Sequence, residues 1–375
     1  MTVLRRPLAL GALLFVVAPA LVAQSNAPRD PRVDAIVQAV IKSNEPGGSI
    51  VVIRDGKVVH VAGYGLADLD SRKPNLPGTR YHMASTGKQF TALSLMMLHQ
   101  DGRLDYDDPV GKHLPEVARF GDSLTIRQVL HHTSGIPDYY DDSTGYKLLL
   151  ASSPMPTNDD ALALLHRWGT PKPAGREFVY SNSGYDLLGT LVEHLSGKSL
   201  DGFLQQRVFG PTGMTGCFSM PNAKRFAEPE RARGYDKTEK KFTADDQDPL
   251  DNLVGSGSVY CSVEDLARYD AALYTDQLVR QTTLADAFEP GRLVDGKSVD
   301  YGFAWGIADR NGYHYEGHSG SWEGYLSYIL RCRSQHFSIY FLQNRTDIKP
   351  RDVVMKVFDL YLPAPTGVTA GSGPN

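Results

Sequence analysis

Residues 81–93, YHMASTGKQFTAL, place a serine three positions before a lysine at the start of a strongly apolar segment. A helix is predicted from Ser85 to about Gly102, and its apolar residues leave little polar face. Such a helix lies inside a protein, and side chains three positions apart share one face of it. Burial favours the neutral form of Lys88, and a neutral amine can activate a serine hydroxyl as a nucleophile.

Two other segments carry residue types suited to the same chemistry. Tyr180-Ser181-Asn182 precedes a predicted helix, and it offers a phenol for proton transfer and an amide for hydrogen bonding. His318-Ser319-Gly320 ends a predicted strand. Taken singly, each segment also has an ordinary structural explanation: a chance S-x-x-K on a surface helix, a loop tyrosine beside a helix cap, and a histidine before a turn glycine.

Together the three segments resemble the serine β-lactamase and penicillin-binding-protein superfamily. The resemblance is strongest to the branch of class C β-lactamases, D-Ala-D-Ala carboxypeptidases, D-aminopeptidases and related esterases. It extends to residues 124–140, LTIRQVLHHTSGIPDYY, and to residues 255–269, GSGSVYCSVEDLARY, and it spans nearly the whole chain. It implies a β-lactamase/transpeptidase-like fold and an enzyme that forms an acyl-serine intermediate.

The resemblance also implies roles for single residues. Ser85 would be acylated, with Lys88 as the base and Tyr180 as its partner in proton transfer. Asn182 would hold the lysine amine and the substrate. The backbone N–H groups of Ser85 and Ser321 would form the oxyanion hole. No metal and no cofactor is implied.

The third segment departs from the pattern of most β-lactamases, which have a lysine where this chain has His318. The histidine resembles that of some carboxypeptidases, D-aminopeptidases and esterases, so strong β-lactam hydrolysis is not expected. An imidazole at this position could bind a substrate carboxylate in its cationic form, or it could bond the tyrosine oxygen and support the strand. Ser319 and Gly320 would complete the binding strand, and Gly320 would admit the substrate backbone.

Strand patterns occur at both ends of the chain and helix patterns between them. Residues 49–54 and 57–64 flank Asp55-Gly56, a strong hairpin signal. A meander is predicted from four strands at 301–308, 313–318, 324–331 and 337–343. The predicted fold is mixed α/β (α+β), with one antiparallel sheet built from both chain ends, flanked by helices and interrupted by a mostly helical lobe. We expect one catalytic domain over residues 24–362, with a sheet lobe at about 30–75 and 295–362 and a helical lobe at about 80–290.

Residues 1–23 have the basic start, apolar run and small residues of a signal peptide. An uncleaved membrane anchor is the alternative, although the run is shorter than the roughly 20 residues of a membrane span. We therefore expect an exported protein, periplasmic or secreted, with no stable membrane span after signal removal. Residues 363–375 are predicted to be a flexible tail.

Composition limits the possible partners. The chain has 375 residues, 39 Lys and Arg, 43 Asp and Glu, and a net charge of −4. Because no basic surplus is available to neutralise phosphates, nucleic acid is not an expected partner. Cys217, Cys261 and Cys332 allow at most one internal disulfide, and their spacing matches no zinc motif. The oligomeric state does not follow from the sequence.

The sequence therefore predicts an exported serine hydrolase that cleaves an amide or ester bond. A D-amino-acid peptide of cell-wall type, or a β-lactam-related compound, is the expected substrate. A small-ester esterase or an acyltransferase is the first alternative. A sensor that is acylated without turnover is an alternative of a different class.

Overall fold

The computed structural model of the protein describes residues 27–117, 124–140, 143–168, 172–219, 230–239 and 241–365. The predicted signal peptide at 1–23 lies outside these residues, and so does the predicted tail from residue 366 onward. Within these ranges, no helix is both long enough and apolar enough to cross a membrane.

A six-stranded sheet forms the centre of the fold, and all its strand pairs are antiparallel. In chain order the strands are β1 (Gly48–Arg54), β2 (Lys57–Tyr64), β3 (Gly306–Arg310), β4 (Tyr313–Trp322), β5 (Tyr325–Cys332) and β6 (Phe337–Gln343). Their spatial order is β3-β4-β5-β6-β1-β2, so the C-terminal meander pairs with the N-terminal hairpin. The predicted sheet built from both chain ends is confirmed.

Helices pack on both faces of this sheet. The longer ones are α1 (Pro31–Gln38), α2 (Lys88–Gln100), α3 (Ser143–Ser152), α4 (Asn158–Trp168), α5 (Asn182–Ser196), α6 (Val263–Ala272) and α7 (Pro350–Tyr361). Helices α1 and α7 share one core with Ile50 and Val52 of β1. Val51 and Ile53 face the other core, which contains α2, α5 and α6. Strand β1 is thus buried on both sides, as its continuous apolar run predicts.

Short elements connect these units. The helical ones are Ala84–Gly87, Val110–His113, Pro115–Val117, Ile126–Leu130, Leu200–Leu204, Gln205–Phe209, Gly210–Thr212, Pro249–Asn252, Gln281–Ala285, Asp286–Phe288 and Arg333–Gln335. The short strands are Leu66–Asp68, Lys73–Pro74, Tyr81–His82, Phe218–Ser219, Tyr235–Lys237, Phe242–Ala244, Val259–Cys261, Gly291–Arg292 and Ser298–Val299.

Three local predictions need correction. The helix predicted from Ser85 begins as a 3₁₀ turn, and its α-helical part ends at Gln100. The strand predicted from residue 301 begins only at Gly306, because Ala304 has a φ of 64° that interrupts extended backbone. Strand β4 continues beyond His318 to Trp322, so the third motif lies within a strand.

The cysteine pairing, which the sequence leaves open, is assigned by the structure. Cys217 and Cys261 form a disulfide between two neighbouring short strands. Cys332 is a buried free thiol at the end of β5.

Candidate active site

Ser85 lies on the 3₁₀ turn Ala84–Gly87, which leads directly into α2. The preceding residue, Ala84, has a φ of 51°, a conformation that is costly for a residue with a side chain. The turn packs against β4, and Ser85 borders a cavity of about 200 Å³. The backbone therefore holds the serine hydroxyl at a cavity wall in a conformation that the surrounding structure must stabilise.

Lys88 is the first residue of α2, and its side chain is fully buried. Its Nζ contacts three oxygens: it donates to Oδ1 of Asn182 at 2.6 Å and to the carbonyl of Ser256 at 2.7 Å, and it lies 3.1 Å from Oγ of Ser85, which can donate to it when the amine is neutral. The amine is thus fixed within hydrogen-bonding distance of the serine hydroxyl. The predicted proximity of the serine and the lysine follows from their spacing of three residues and from the burial of α2.

Burial lowers the pKa of Lys88 to about 7, because desolvation penalises the ammonium form. The carboxylates of Asp186 and Asp138 act in the opposite direction. A substantial fraction of neutral amine is therefore present near pH 7, which is the form that can accept a proton from Ser85.

Asn182 is the first residue of α5 and is held by Asp138. Its backbone N–H and its Nδ2 each donate to Oδ2 of Asp138 at 2.9 Å. These two bonds fix the amide so that its oxygen faces Lys88. The structure brings the Asn182 amide to Lys88, whereas the sequence analysis did not single out Asp138.

A second buried carboxylate, Asp186, lies one turn further along α5. Tyr139 donates to its Oδ2 at 2.6 Å, and the backbone N–H of Ser256 donates to its Oδ1 at 2.9 Å. Burial raises the pKa of Asp186 to about 6. Because Ser256 also gives its carbonyl to Lys88, one peptide segment connects the carboxylate with the amine. The i, i+4 spacing to Asn182 is the sequence signal that could have revealed Asp186.

Tyr180 lies beside the same lysine. Nζ of Lys88 is 4.9 Å from the centroid of its ring, and the ring of His132 packs against it at a centroid distance of 4.2 Å. His132 also holds the adjoining backbone, since its carbonyl accepts from the N–H of Val179 at 2.8 Å and its Nδ1 accepts from the N–H of Ser181 at 3.1 Å. The structure thus brings Ser85, Lys88, Tyr180 and Asn182 together.

His318 is buried in β4, close to this group. Its Nε2 is 2.9 Å from the hydroxyl of Tyr301, and its Nδ1 is 2.6 Å from the carbonyl of Ser319. Burial lowers its pKa to about 4, and the nearby Lys88 charge adds to the shift. The imidazole is therefore neutral at pH 7, and it bonds Tyr301 rather than Tyr180.

Gly320 is required by the close approach of β4 to the turn that carries Ser85. A Cβ there would lie 2.5 Å from the carbonyl oxygen of Met83 and 2.3 Å from Oγ of Ser327. The space is used by the protein's own backbone, whereas the sequence analysis assigned it to the substrate. On the same strand, Ser319 and Ser321 are exposed, and Ser321 borders the cavity.

The cavity lies between α5, β4 and the segment that follows residue 248. Its lining consists of His82, Ala84, Ser85, Tyr140, Asn182, Leu250, Asp251, Leu253, Ser256, Gly257, Ser258, Ser321 and Trp322. The sequence analysis assigned residues 250–258 no place in the site. Across the described ranges, no group of three or more His, Cys, Asp or Glu side chains is arranged to hold a metal ion.

The sequence family described as Beta-lactamase matches residues 33–361. The chain belongs to the β-lactamase family. Penicillin-binding protein 4* of Bacillus subtilis (strain 168) is 30% identical over 317 residues, which cover 80% of this chain and 68% of the relative. Protein flp of Staphylococcus aureus (strain COL) is 30% identical over 321 residues, and the match covers 84% of this chain but only 62% of flp.

The fold comparison gives the same family. The octameric penicillin-binding protein homologue from Pyrococcus abyssi superposes with a TM-score of 0.75 and 27% identity, covering 88% of this chain and 77% of the homologue. This member of the β-lactamase family is therefore a serine hydrolase with the β-lactamase/transpeptidase-like fold.

Proposed function

We propose that the enzyme cleaves an amide or ester bond through an acyl-enzyme on Ser85. The observation that carries this proposal is the buried amine of Lys88, 3.1 Å from Oγ of Ser85. A lysine whose pKa is about 7 has a neutral fraction at physiological pH, unlike an exposed lysine. The hydroxyl therefore has a base within reach.

In the acylation step, neutral Lys88 takes the proton of Ser85 as Oγ bonds to the substrate carbonyl carbon. The carbonyl oxygen becomes an oxyanion, which the backbone N–H groups of Ser85 and Ser321 receive. The bond to the leaving group then breaks, and the amine or alcohol takes a proton that returns from Lys88 through Tyr180.

Deacylation repeats the proton transfers with water as the nucleophile. Lys88 and Tyr180 accept a proton from the water as it attacks the acyl carbon, and Oγ of Ser85 recovers a proton as it leaves. Asn182 keeps the lysine amine in place through both steps, because Asp138 fixes the amide in turn. Every group in these steps belongs to this chain.

A D-amino-acid peptide of cell-wall type is the substrate we propose. The similarity to penicillin-binding protein 4* supports this class. We also propose that residues 1–23 direct export, which would place the enzyme in the compartment of such a substrate. A small ester is the second candidate, because neutral His318 does not supply the cation that would bind a terminal carboxylate.

A substrate panel tests the proposal. The mature protein is assayed against a D-Ala-D-Ala peptide, a D-amino-acid amide, a p-nitrophenyl ester and a chromogenic cephalosporin. We expect steady turnover of at least one amide or ester by the wild type and none by Ser85→Ala. Turnover retained by Ser85→Ala would overturn the mechanism. A burst of one equivalent without turnover would identify a sensor instead, and faster release with added amine or alcohol would identify an acyltransferase.

A further inference from the structure

Two adjacent histidines contact Tyr301, one at its backbone carbonyl and the other at its phenol oxygen. Nδ1 of His131 is 2.9 Å from the backbone carbonyl of Tyr301. Nε2 of His132 is 3.2 Å from the phenol oxygen of the same residue. All three residues are buried. The His131-His132 pair thus positions one tyrosine.

The backbone groups at the two ends of this network decide the direction of its hydrogen bonds. A backbone N–H can only donate, so the bond from Ser181 makes Nδ1 of His132 an acceptor. The proton of neutral His132 is then on Nε2 and is donated to the oxygen of Tyr301. Tyr301 has one hydroxyl proton, which it can donate to Nε2 of His318.

The hydrogen bonds of the third motif, His318-Ser319-Gly320, can be assigned in the same way. The carbonyl of Ser319 can only accept, so the proton of neutral His318 is on Nδ1 and its Nε2 is an acceptor for the hydroxyl of Tyr301. That N–H donates to the carbonyl of Ser319 at 2.6 Å. The chain of bonds therefore starts at a backbone donor beside Tyr180 and ends at a backbone acceptor two residues before Ser321.

We propose that His132 and Tyr301 are positioning residues that hold His318 as a neutral imidazole protonated on Nδ1, so that the third motif recognises the substrate without a cation. The inference about the substrate rests on the proposed hydrolase function, whereas the inference about the protonation of His318 does not. Within the proposed class of D-amino-acid peptides and esters, the preferred substrate would carry an amide, an ester or another uncharged group where related enzymes with a lysine would bind a carboxylate.

The charges around the cavity agree with this proposal. The groups that face His318 are Lys88, Tyr180, His132 and Tyr301, and the lysine is the one among them that carries a positive charge. Among the described residues that line the cavity, none is an arginine or a lysine, and Asp251 adds a carboxylate. A second cation beside Lys88 would lower the pKa of both groups by repulsion.

The first test is spectroscopic and needs no substrate. In protein labelled with ¹⁵N-histidine, protonated and unprotonated ring nitrogens are resolved by their chemical shifts at pH 7. Signals are assigned from contacts with Tyr301 and Ser319 protons and from the His318→Gln spectrum. We expect a proton on Nδ1 of His318 and on Nε2 of His132. A proton on Nε2 of His318, or on both of its nitrogens, would overturn the proposal.

The Tyr301→Phe variant tests the same hydrogen-bond network in a second way. Loss of the hydroxyl leaves Nε2 of both imidazoles without its partner, so the Nε2 signal of His318 should shift while its proton stays on Nδ1, held by the carbonyl of Ser319. Turnover of a neutral ester should fall about tenfold, because the backbone before Ser321 loses its support. Tyr313→Phe is the control, since Tyr313 packs against Phe358 in the other core. An unchanged His318 spectrum in Tyr301→Phe would contradict the network.

The second test measures charge recognition. The phenyl and 3-carboxyphenyl esters of N-acetyl-D-alanine differ by one carboxylate on the leaving group. We expect wild-type kcat/KM values within about threefold of each other and an increase of about tenfold or more in preference for the carboxylate in His318→Lys. A wild type that prefers the carboxylate ester tenfold, or a His318→Lys variant with the wild-type ratio, would refute the substrate part. If neither these esters nor any member of the substrate panel is turned over, the hydrolase proposal fails and the spectrum still decides the protonation pattern.

Discussion

The charge of Asp186 should control the pH at which Lys88 becomes active. Above pH 6 the carboxylate is mostly ionised, and it raises the pKa of the lysine against the effect of burial. Replacing it with asparagine removes the charge and keeps an oxygen that can accept from Ser256. Because the base must be neutral, activity rises with pH through the lysine pKa, and Asp186→Asn should move this rise to lower pH.

The path through Ser256 limits the distance between the charges of Lys88 and Asp186, and this distance sets the size of the pKa shift of Lys88. Nζ of Lys88 is 2.7 Å from the carbonyl of Ser256, whose N–H is 2.9 Å from Asp186. Adding the path from the carbonyl oxygen to the amide nitrogen of Ser256 gives a charge separation of at most about 9 Å. At an effective dielectric constant of about 20, two unit charges at this distance interact by about 2 kcal/mol. That energy corresponds to a pKa decrease of about 1.5 units.

The assay is kcat/KM for a p-nitrophenyl ester between pH 5 and pH 9. The wild-type profile should rise with a midpoint near 7, and the Asp186→Asn midpoint should lie about 1 to 2 units lower. Asp159→Asn removes an exposed carboxylate on α4 and should leave the midpoint unchanged. An unchanged midpoint in a folded Asp186→Asn variant would show that Lys88 is not the group that titrates.

Two further predictions concern packing and the cysteines. Gly320→Ala should lower kcat about a hundredfold and also destabilise the fold, because its Cβ would push β4 away from the carbonyl of Met83; wild-type kinetics and stability would contradict the close approach. Thiol titration of the denatured, unreduced protein should find the single thiol of Cys332, and reduction should expose Cys217 and Cys261 as well; three thiols before reduction would refute the pairing.

The sheet and the buried helix could be predicted because their signals are local. The hairpin at Asp55-Gly56 has φ values of 52° and 69°, which its two residue types tolerate. The apolar run after Lys88 required burial, and the helix is buried over its first eleven residues. A spacing of three residues on a helix then predicts that Lys88 lies beside Ser85, without any knowledge of the tertiary structure.

The groups that hold Lys88 and Asn182 in place could not be predicted, because they come together only in the folded chain. Asp138 and Asn182 are 44 residues apart, and Lys88 and Ser256 are 168 apart. No local pattern marks Ser256, whose contribution is a backbone carbonyl. His318 was recognised as a departure from the family, but its neutral state depends on burial and on Tyr301, which the sequence placed in an ordinary strand.

Covalent labelling of Ser85 is the most direct test of the account. The mature protein, Ser85→Ala and the control Ser334→Ala are treated with a fluorophosphonate and with a labelled penicillin, and the adducts are mapped by mass spectrometry. The account predicts one adduct on Ser85 in the wild type and in Ser334→Ala, and none in Ser85→Ala. An adduct on another residue, or labelling that persists in Ser85→Ala, would contradict the central claim.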